Sequence, residues 1–379
     1  MRVLLAIPCL ERGGTEMQTL CLAKALIEAG HIVNVVCYFN FEQSVVDEFV
    51  AIGGHVEFLR LQRGLSSLRF ITIMKTFYRG SQPDIVHVQY MSPGALAVVA
   101  ARIAGVKTVL ATVHQPYTES HGWHAKMILL TASMLCDHFI AVSAIAEESW
   151  FGSSYVYNTE SDGTRHKHFT LHNAVDVSRI SGLLSSADST GLPGYYALDS
   201  SFVFGFVGRV SYEKGLDILL EAFGKVSARI DNAKLLIVGD GDDLADLRKR
   251  YRHETWWKNV VIAGLQTWEN AMRHLVLIDV LVVPSRFEGF GLSAVEGMAA
   301  SLPVIASDTG GLTEIIQDGE SGLLFETGNV DELAERMSRL YDDKSLIRFV
   351  SARAKLRAME YDSEKYNYKV EHFYKSLCP

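Results

Sequence analysis

The chain has 379 residues, 48% of them apolar and 21% charged, enough to build sizeable cores and incompatible with a disordered or collagen-like polymer. Its 36 Lys and Arg face 44 Asp and Glu, a net charge of −8, opposite to the balance of a nucleic-acid binder. No apolar run approaches the roughly 18 residues of a membrane span, and the five cysteines (Cys9, Cys21, Cys37, Cys136, Cys378) form no C-x-x-C pair, as expected of a reduced cytoplasmic protein without structural zinc.

The opening MRVLLAI is too short for a secretory core and runs into Glu11-Arg12-Gly13-Gly14, so residues 2–7 predict a first buried strand. Further apolar runs predict strands at 32–37, 55–61, 85–88, 107–113 and 138–142, with helical patterns between most of them. One such helix is Glu16–Ala29, with Leu20, Ala23 and Ile27 expected on one face. Strands that are apolar throughout belong to parallel sheets covered on both sides. Residues 181–200, rich in Ser and Gly, predict an exposed connection. A second series follows at 201–207, 234–239, 259–264, 279–284, 303–307 and 322–325, and 363–378 form a last helical pattern. The rhythm predicts two doubly wound, Rossmann-like α/β halves. Residues 1–180 hold 14 Lys/Arg and 15 Asp/Glu, the remainder 22 and 29, so the acidity lies in the second half.

Candidate chemistry punctuates the strand ends. Gly13-Gly14-Thr15-Glu16, after the first strand, resembles a phosphate-approach loop without the Walker or full G-x-G-x-x-G pattern. Between Phe58 and Pro83 there is no acid and there are five bases, Arg60, Arg63, Arg69, Lys75 and Arg79. A helix there either packs its apolar side on the sheet or lies on an anionic membrane, and the basic stripe faces outward in both cases. His114 ends a predicted strand, where it is either a site residue or a structurally satisfied histidine; His87 is expected at a strand end, and Arg165-His-Lys-His168 as a solvated loop.

Gly208-Arg209-Val-Ser-Tyr-Glu213-Lys214-Gly215 follows the first strand of the second half. A guanidinium and an ammonium five residues apart at the carboxyl end of a sheet strand suit a diphosphate. Asp240-Gly-Asp242 reads as a tight turn rather than a metal site. In Pro284-Ser-Arg-Phe-Glu288-Gly-Phe-Gly-Leu-Ser-Ala-Val-Glu296, a helix is expected to start near Gly291, and carboxylates eight residues apart suit paired sugar hydroxyls.

With these motifs in order, the chain resembles the family-four glycosyltransferases of the GT-B fold, retaining enzymes that use nucleotide sugars. His172-Asn173-Ala174, Val238-Gly-Asp-Gly241 and Thr309-Gly310-Gly311 with Glu314 extend the likeness over nearly all the chain, Ala174 departing from the family's usual glycine. The resemblance implies two Rossmann-like domains facing across a cleft: 1–185, with the helix 363–379 packing back on it, for the acceptor, and 198–362 for the donor. It implies that Arg209 and Lys214 hold the diphosphate, with Gly208 in their loop and Gly14 approaching from the other domain. Glu288 would contact the donor sugar, helped by main-chain N–H groups of Phe290 and Gly291. Glu296 would hold the ribose, the base would lie near Gly264 and Leu265, and His114 would stand near donor and acceptor. A UDP-sugar is favoured, GDP-mannose next, with a glycan or lipid-linked acceptor of the cell envelope, no metal, and cytoplasmic enzyme touching anionic membrane through 59–82. A GT-B sugar-nucleotide epimerase and a non-catalytic nucleotide-sugar-binding subunit are the competing readings.

Overall fold

Runs of Val, Ile and Leu with no polar residue to face water settle as interior strands, and here they build two separate parallel sheets. The computed structural model describes residues 1–90, 93–160, 165–186 and 196–377. The chain divides into two compact units: Met1–Ala174 with the segment from Ser363 onward, and Val175–Asp362.

The first unit runs β1 (Arg2–Ile7), α1 (Gly14–Glu28), β2 (Ile32–Cys37), α2 (Gln43–Ala51), β3 (His55–Phe58), α3 (Ser67–Ser81), β4 (Ile85–Tyr90), α4 (Gly94–Ala104), β5 (Thr108–Val113), α5 (Gly122–Leu135), β6 (His138–Ala141), α6 (Ala144–Phe151) and β7 (His168–Thr170). The sheet order is β3-β2-β1-β4-β5-β6-β7, parallel throughout. Winding outward from β1 in both directions puts α1 and α2 on one face and the later helices on the other. Leu5, Val35 and Phe49 pack with Leu22 and Leu26 on the first face; Leu4, Val36 and Val88 pack with Met74, Ala101 and Leu129 on the second.

The second unit opens with α7 (Val177–Ser185) and continues β8 (Phe202–Val207), α8 (Leu216–Ser227), β9 (Ala233–Val238), α9 (Leu244–Tyr251), β10 (Val260–Gly264), α10 (Trp268–His274), β11 (Val280–Val283), α11 (Leu292–Ala299), β12 (Val304–Ser307), α12 (Leu312–Ile315), β13 (Leu323–Phe325), α13 (Val330–Asp342) and α14 (Lys344–Ala358). Its parallel order is β10-β9-β8-β11-β12-β13. The last helix, α15 (Ser363–Ser376), belongs to the first unit and packs against α1.

Several expectations need correction. The division falls at 174/175 rather than 185, because α7 packs on α10 and α11 of the second unit. Ser181–Ser185, which composition reads as linker, are the end of helix α7, whose start Asp176 caps, its Oδ1 accepting from the Arg179 N–H at 2.8 Å; residues 187–195 of the expected connection lie outside the described residues. The strand expected at 55–61 stops at Phe58, and Arg60 turns into left-handed backbone at φ 48°. On α1 the buried stripe is Thr19, Leu22, Ala23 and Leu26, with Leu20 and Ile27 only flanking it. His168 is no solvated loop residue: it starts β7, stacks on Phe151 at 4.3 Å and meets the buried Glu147 at 2.6 Å.

Candidate functional site

In the second unit the strand-end turns hold one another by their main chains. The Gly208 N–H donates to the Val238 carbonyl at 3.0 Å, and the Val210 N–H to the Asp240 carbonyl at 2.9 Å. A Cβ on Gly239 would lie 1.9 Å from the Gly208 oxygen, and one on Gly241 2.2 Å from the Val210 oxygen. The Gly-Asp-Gly run is therefore a packing requirement of the neighbouring loop, and the Asp240 carboxylate accepts from the Gly241 N–H at 2.7 Å. The same ladder reaches Gly264, whose carbonyl accepts from the Gly239 N–H at 2.9 Å; the Leu265 side chain beyond it is exposed. Arg209, between the zipped glycine turns, is exposed and makes no side-chain hydrogen bond or ion pair among the described residues.

Lys214 ends a single helical turn, Tyr212–Lys214, before Gly215 caps α8 at φ 65°. A Cβ on Gly215 would sit 2.0 Å from the Pro284 carbonyl, so only glycine lets this turn meet the end of β11. There Lys214 Nζ donates to Glu288 Oε2 at 2.7 Å, and Ser285 Oγ donates to the same oxygen at 3.1 Å. Arg286, two residues before Glu288, forks onto both Asp217 oxygens at 2.8 and 2.7 Å, donates to the Tyr212 carbonyl at 3.0 Å and lies over the Tyr212 ring. Burial by itself raises the Asp217 carboxyl, but the hydrogen bonds and charge of Arg286 outweigh it and hold the acid below its ordinary value.

The other side of the Glu288 loop is closed by Thr309-Gly310-Gly311. A Cβ on Gly310 would fall 1.9 Å from the Glu288 carbonyl, and one on Gly311 2.5 Å from Phe290. The Phe290 ring is buried edge-on to Tyr361, so its side chain is closed to a ligand. Gly291, at φ 112°, precedes α11 and makes room for Leu312, whose Cδ2 would be 2.7 Å from an added Cβ. Glu296 lies on that helix with its Oε1 accepting from Trp268 Nε1 at 2.7 Å. Burial pushes its carboxyl up to about 7, against the opposing pull of Trp268 and the Lys214 charge. Lys214 thus pairs with the first carboxylate of the E-x7-E pattern, and its charge also acts on the second.

The remaining candidates belong to the first unit. Gly14 is exposed and opens α1, with Gly13 extended before it. His114 follows β5, and its Nε2 meets Gln89 Oε1 at 2.8 Å. Burial lowers it to about 4, so it is a neutral imidazole with Nε2 donating and Nδ1 an acceptor. His87 lies within β4, not at its end, and is buried between the Tyr374 hydroxyl (2.6 Å) and Thr112 Oγ1 (2.7 Å). Burial and the adjacent His114 lower it to about 3. Gln18 fastens the Asn173-Ala174 turn, donating to the Ala174 carbonyl at 2.8 Å and accepting from its N–H at 3.1 Å. Arg286, Asp217, Ser285 and Trp268 escaped the sequence reading; only the place of Arg286 and Ser285 inside the Glu288 segment gave a signal.

A family model described as glycosyl transferases group 1 matches residues 168–358, and one described as Glycosyltransferase Family 4 matches residues 12–151. An uncharacterized glycosyltransferase of Methanocaldococcus jannaschii is 26% identical over 347 residues, covering 91% of this chain and 90% of that protein. The phosphatidyl-myo-inositol mannosyltransferase of Mycolicibacterium smegmatis is 27% identical over 385 residues, covering 96% and 90%. Among solved structures, Anabaena HepE in complex with UDP-glucose superposes with a TM-score of 0.82 at 19% identity, covering 99% of this chain and all of that one. The two parallel sheets are thus of the GT-B type.

Proposed function

Because the chain belongs to the group 1 glycosyl transferases, we propose that it moves a hexose or N-acetylhexosamine from a nucleotide-diphosphate sugar to a hydroxyl, with retention at the anomeric carbon. The observation that carries this is the Lys214–Glu288 pair at 2.7 Å, with Arg209 exposed on the same turn. In this reading the C1–O bond to the diphosphate breaks through an oxocarbenium-like transition state. Negative charge grows on the leaving oxygen, where Arg209 and Lys214 meet it. The three N–H donors of Lys214 serve a phosphate oxygen and Glu288 together. Glu288 accepts from donor-sugar hydroxyls, and main-chain N–H groups of Phe290 and Gly291 assist. Glu296 takes the ribose hydroxyls in its ionised form, and the base lies along Gly264 and Leu265. Gly14 and the neutral His114 serve from the first unit, His114 offering Nδ1 to a hydroxyl.

A UDP-sugar is the favoured donor, with GDP-mannose next. A glycan or lipid-linked acceptor, handled at the cytoplasmic face of a membrane that the basic 59–82 segment touches, is in keeping with the relative named for phosphatidyl-myo-inositol. Arg209 and Lys214 supply the charge that other transferases draw from a divalent ion, so none is assigned. Incubation with a panel of UDP-, GDP- and ADP-sugars and candidate acceptors in excess EDTA tests the reading. The expected products are free nucleotide diphosphate and a glycosylated acceptor. An epimerised donor, no turnover with any pair, or activity abolished by chelation counts against it.

A further inference from the structure

The helices on one face of the first sheet carry features that sugar transfer does not use. α3, α4 and α5 pack side by side there. Together they contain no Asp or Glu and five Lys/Arg: Arg69, Lys75 and Arg79 on α3, Arg102 on α4 and Lys126 on α5. α5 turns Leu129, Ala132 and Ser133 inward. Outward it presents Trp123, Met127, Ile128, Met134 and Leu135, with Trp123 66% and Met134 71% exposed. With His124 and Thr131 these side chains fill a sector of about 140° around the helix that holds no Lys, Arg, Asp or Glu. A helix lying on a water-soluble protein keeps this sector polar, and an apolar patch rimmed by charge marks a contact surface.

The chemistry of the rim selects the partner. Arg69 and Arg79 are exposed on α3, whose apolar Phe70, Met74 and Tyr78 are buried in the unit's core. The basic segment therefore offers its charge with a single exposed apolar side chain, Leu68, while α5 offers the larger face to insert. Asp137, just past α5, is already paired with Arg102 at 2.7 Å. A second copy on the same face would set basic flanks against basic flanks without an acid on these helices to meet them. α5 has 14 residues, short of the roughly 20 of a span, and no helix among the described residues is long and apolar enough to cross a membrane. It suits a helix lying in the plane of a lipid surface.

We propose that the exposed face of α5, together with the α3 cations beyond α4 on the same side of the sheet, docks the protein on an anionic bilayer. This deepens the acceptor reading above by giving the basic 59–82 segment an inserting partner; it rests on that reading only for its purpose, since binding requires no turnover. The test is flotation of the full chain with vesicles of phosphatidylcholine alone or mixed with phosphatidylglycerol, at low and high salt. Wild type is expected to float with the mixed vesicles, more weakly as salt rises. Trp123→Ser/Met127→Ser/Met134→Ser should lose binding about tenfold or more. Arg69→Gln/Lys75→Gln/Arg79→Gln should lose the preference for the anionic lipid. Every position altered is exposed except the half-buried Lys75, and both variants should keep the wild-type melting temperature and turnover on a soluble acceptor. Wild type that ignores the mixed vesicles, or an α5 variant that binds them equally well, overturns the proposal. So does a wild-type dimer that the α5 changes convert to monomer without any vesicle binding. Vesicle binding without any sugar transfer would instead sink the acceptor reading and leave the docking face standing.

Discussion

At the residue scale Glu296 carries a conflict between burial and its assigned task. Its carboxyl titrates at about 7, while an unfolded glutamate titrates near 4.5. The folded protein therefore holds this proton where the unfolded chain has released it. The sign follows: the stability tied to the neutral acid is complete below the unfolded value and is lost as pH rises through about 7. Ribose recognition requires the opposite, a carboxylate accepting two hydroxyl donors. Donor affinity of the wild type should thus rise between about pH 6 and pH 8, because the diphosphate of a nucleotide sugar has no group of its own titrating there. Glu296→Gln keeps an oxygen for Trp268 Nε1 but cannot ionise. Its UDP-sugar affinity should be weaker and flat across the same range, while its melting temperature exceeds that of wild type above pH 7 and converges with it in acid. Calorimetric titration at three pH values checks both limbs; parallel slopes in the two proteins would remove Glu296 from the ribose.

At the element scale the loop from β11 to α11 is positioned by its neighbours rather than by its own helix. Arg286 ties it to the start of α8 through the Asp217 fork and the Tyr212 carbonyl, and Gly310 and Gly311 close it from the other side. Glu288 sits two residues from that anchor, so displacement of the loop by about an ångström should be felt in turnover. Arg286→Ala is expected to lower kcat about tenfold or more with a smaller change in KM. Arg286→Lys should not restore it, because an ammonium cannot span both Asp217 oxygens. Kinetics in which KM alone moves would show that the clamp serves donor binding and not placement of Glu288. The sequence announced the loop and its glycines but not the clamp: an isolated arginine has no periodicity, and its partner is 69 residues away. Most of the apolar strands were legible because they are buried on both faces; the edge strands β3 and β10 are only half-buried and were found by their apolar runs alone. β7 was not, since three residues with a leading histidine look like loop. The open face of α5 was equally hidden, because an apolar residue declares its chemistry in the sequence but not whether anything covers it.

At the scale of the whole molecule the chain order and the cores do not coincide. The first unit is finished only when the last helix returns, after the entire second unit has been traversed. Composition placed the division at the Ser-rich run near 185, whereas packing places it at 174/175, since a capped helix with a buried face belongs to whatever it is packed on. α15 enters the first core with Val370, Phe373 and Tyr374, all buried, and Phe373 packs its ring against Phe169 at 5.0 Å and His138 at 5.4 Å. Tyr374 adds the polar tie to His87, so the helix is held by apolar contact and by a buried hydroxyl. Phe373→Ala should then cost about 3–5 kcal/mol, and the cost falls on the first unit although the residue lies 199 positions beyond the end of that unit's other segment at Ala174. The residues proposed to hold the donor, on the second unit, share no core cluster with it. In scanning calorimetry the variant should show one transition moved down by several degrees, while the transition that a UDP-sugar raises stays in place. Were both to fall together, the two cores would melt as one, and ordering in the first unit would be felt directly at the diphosphate turn.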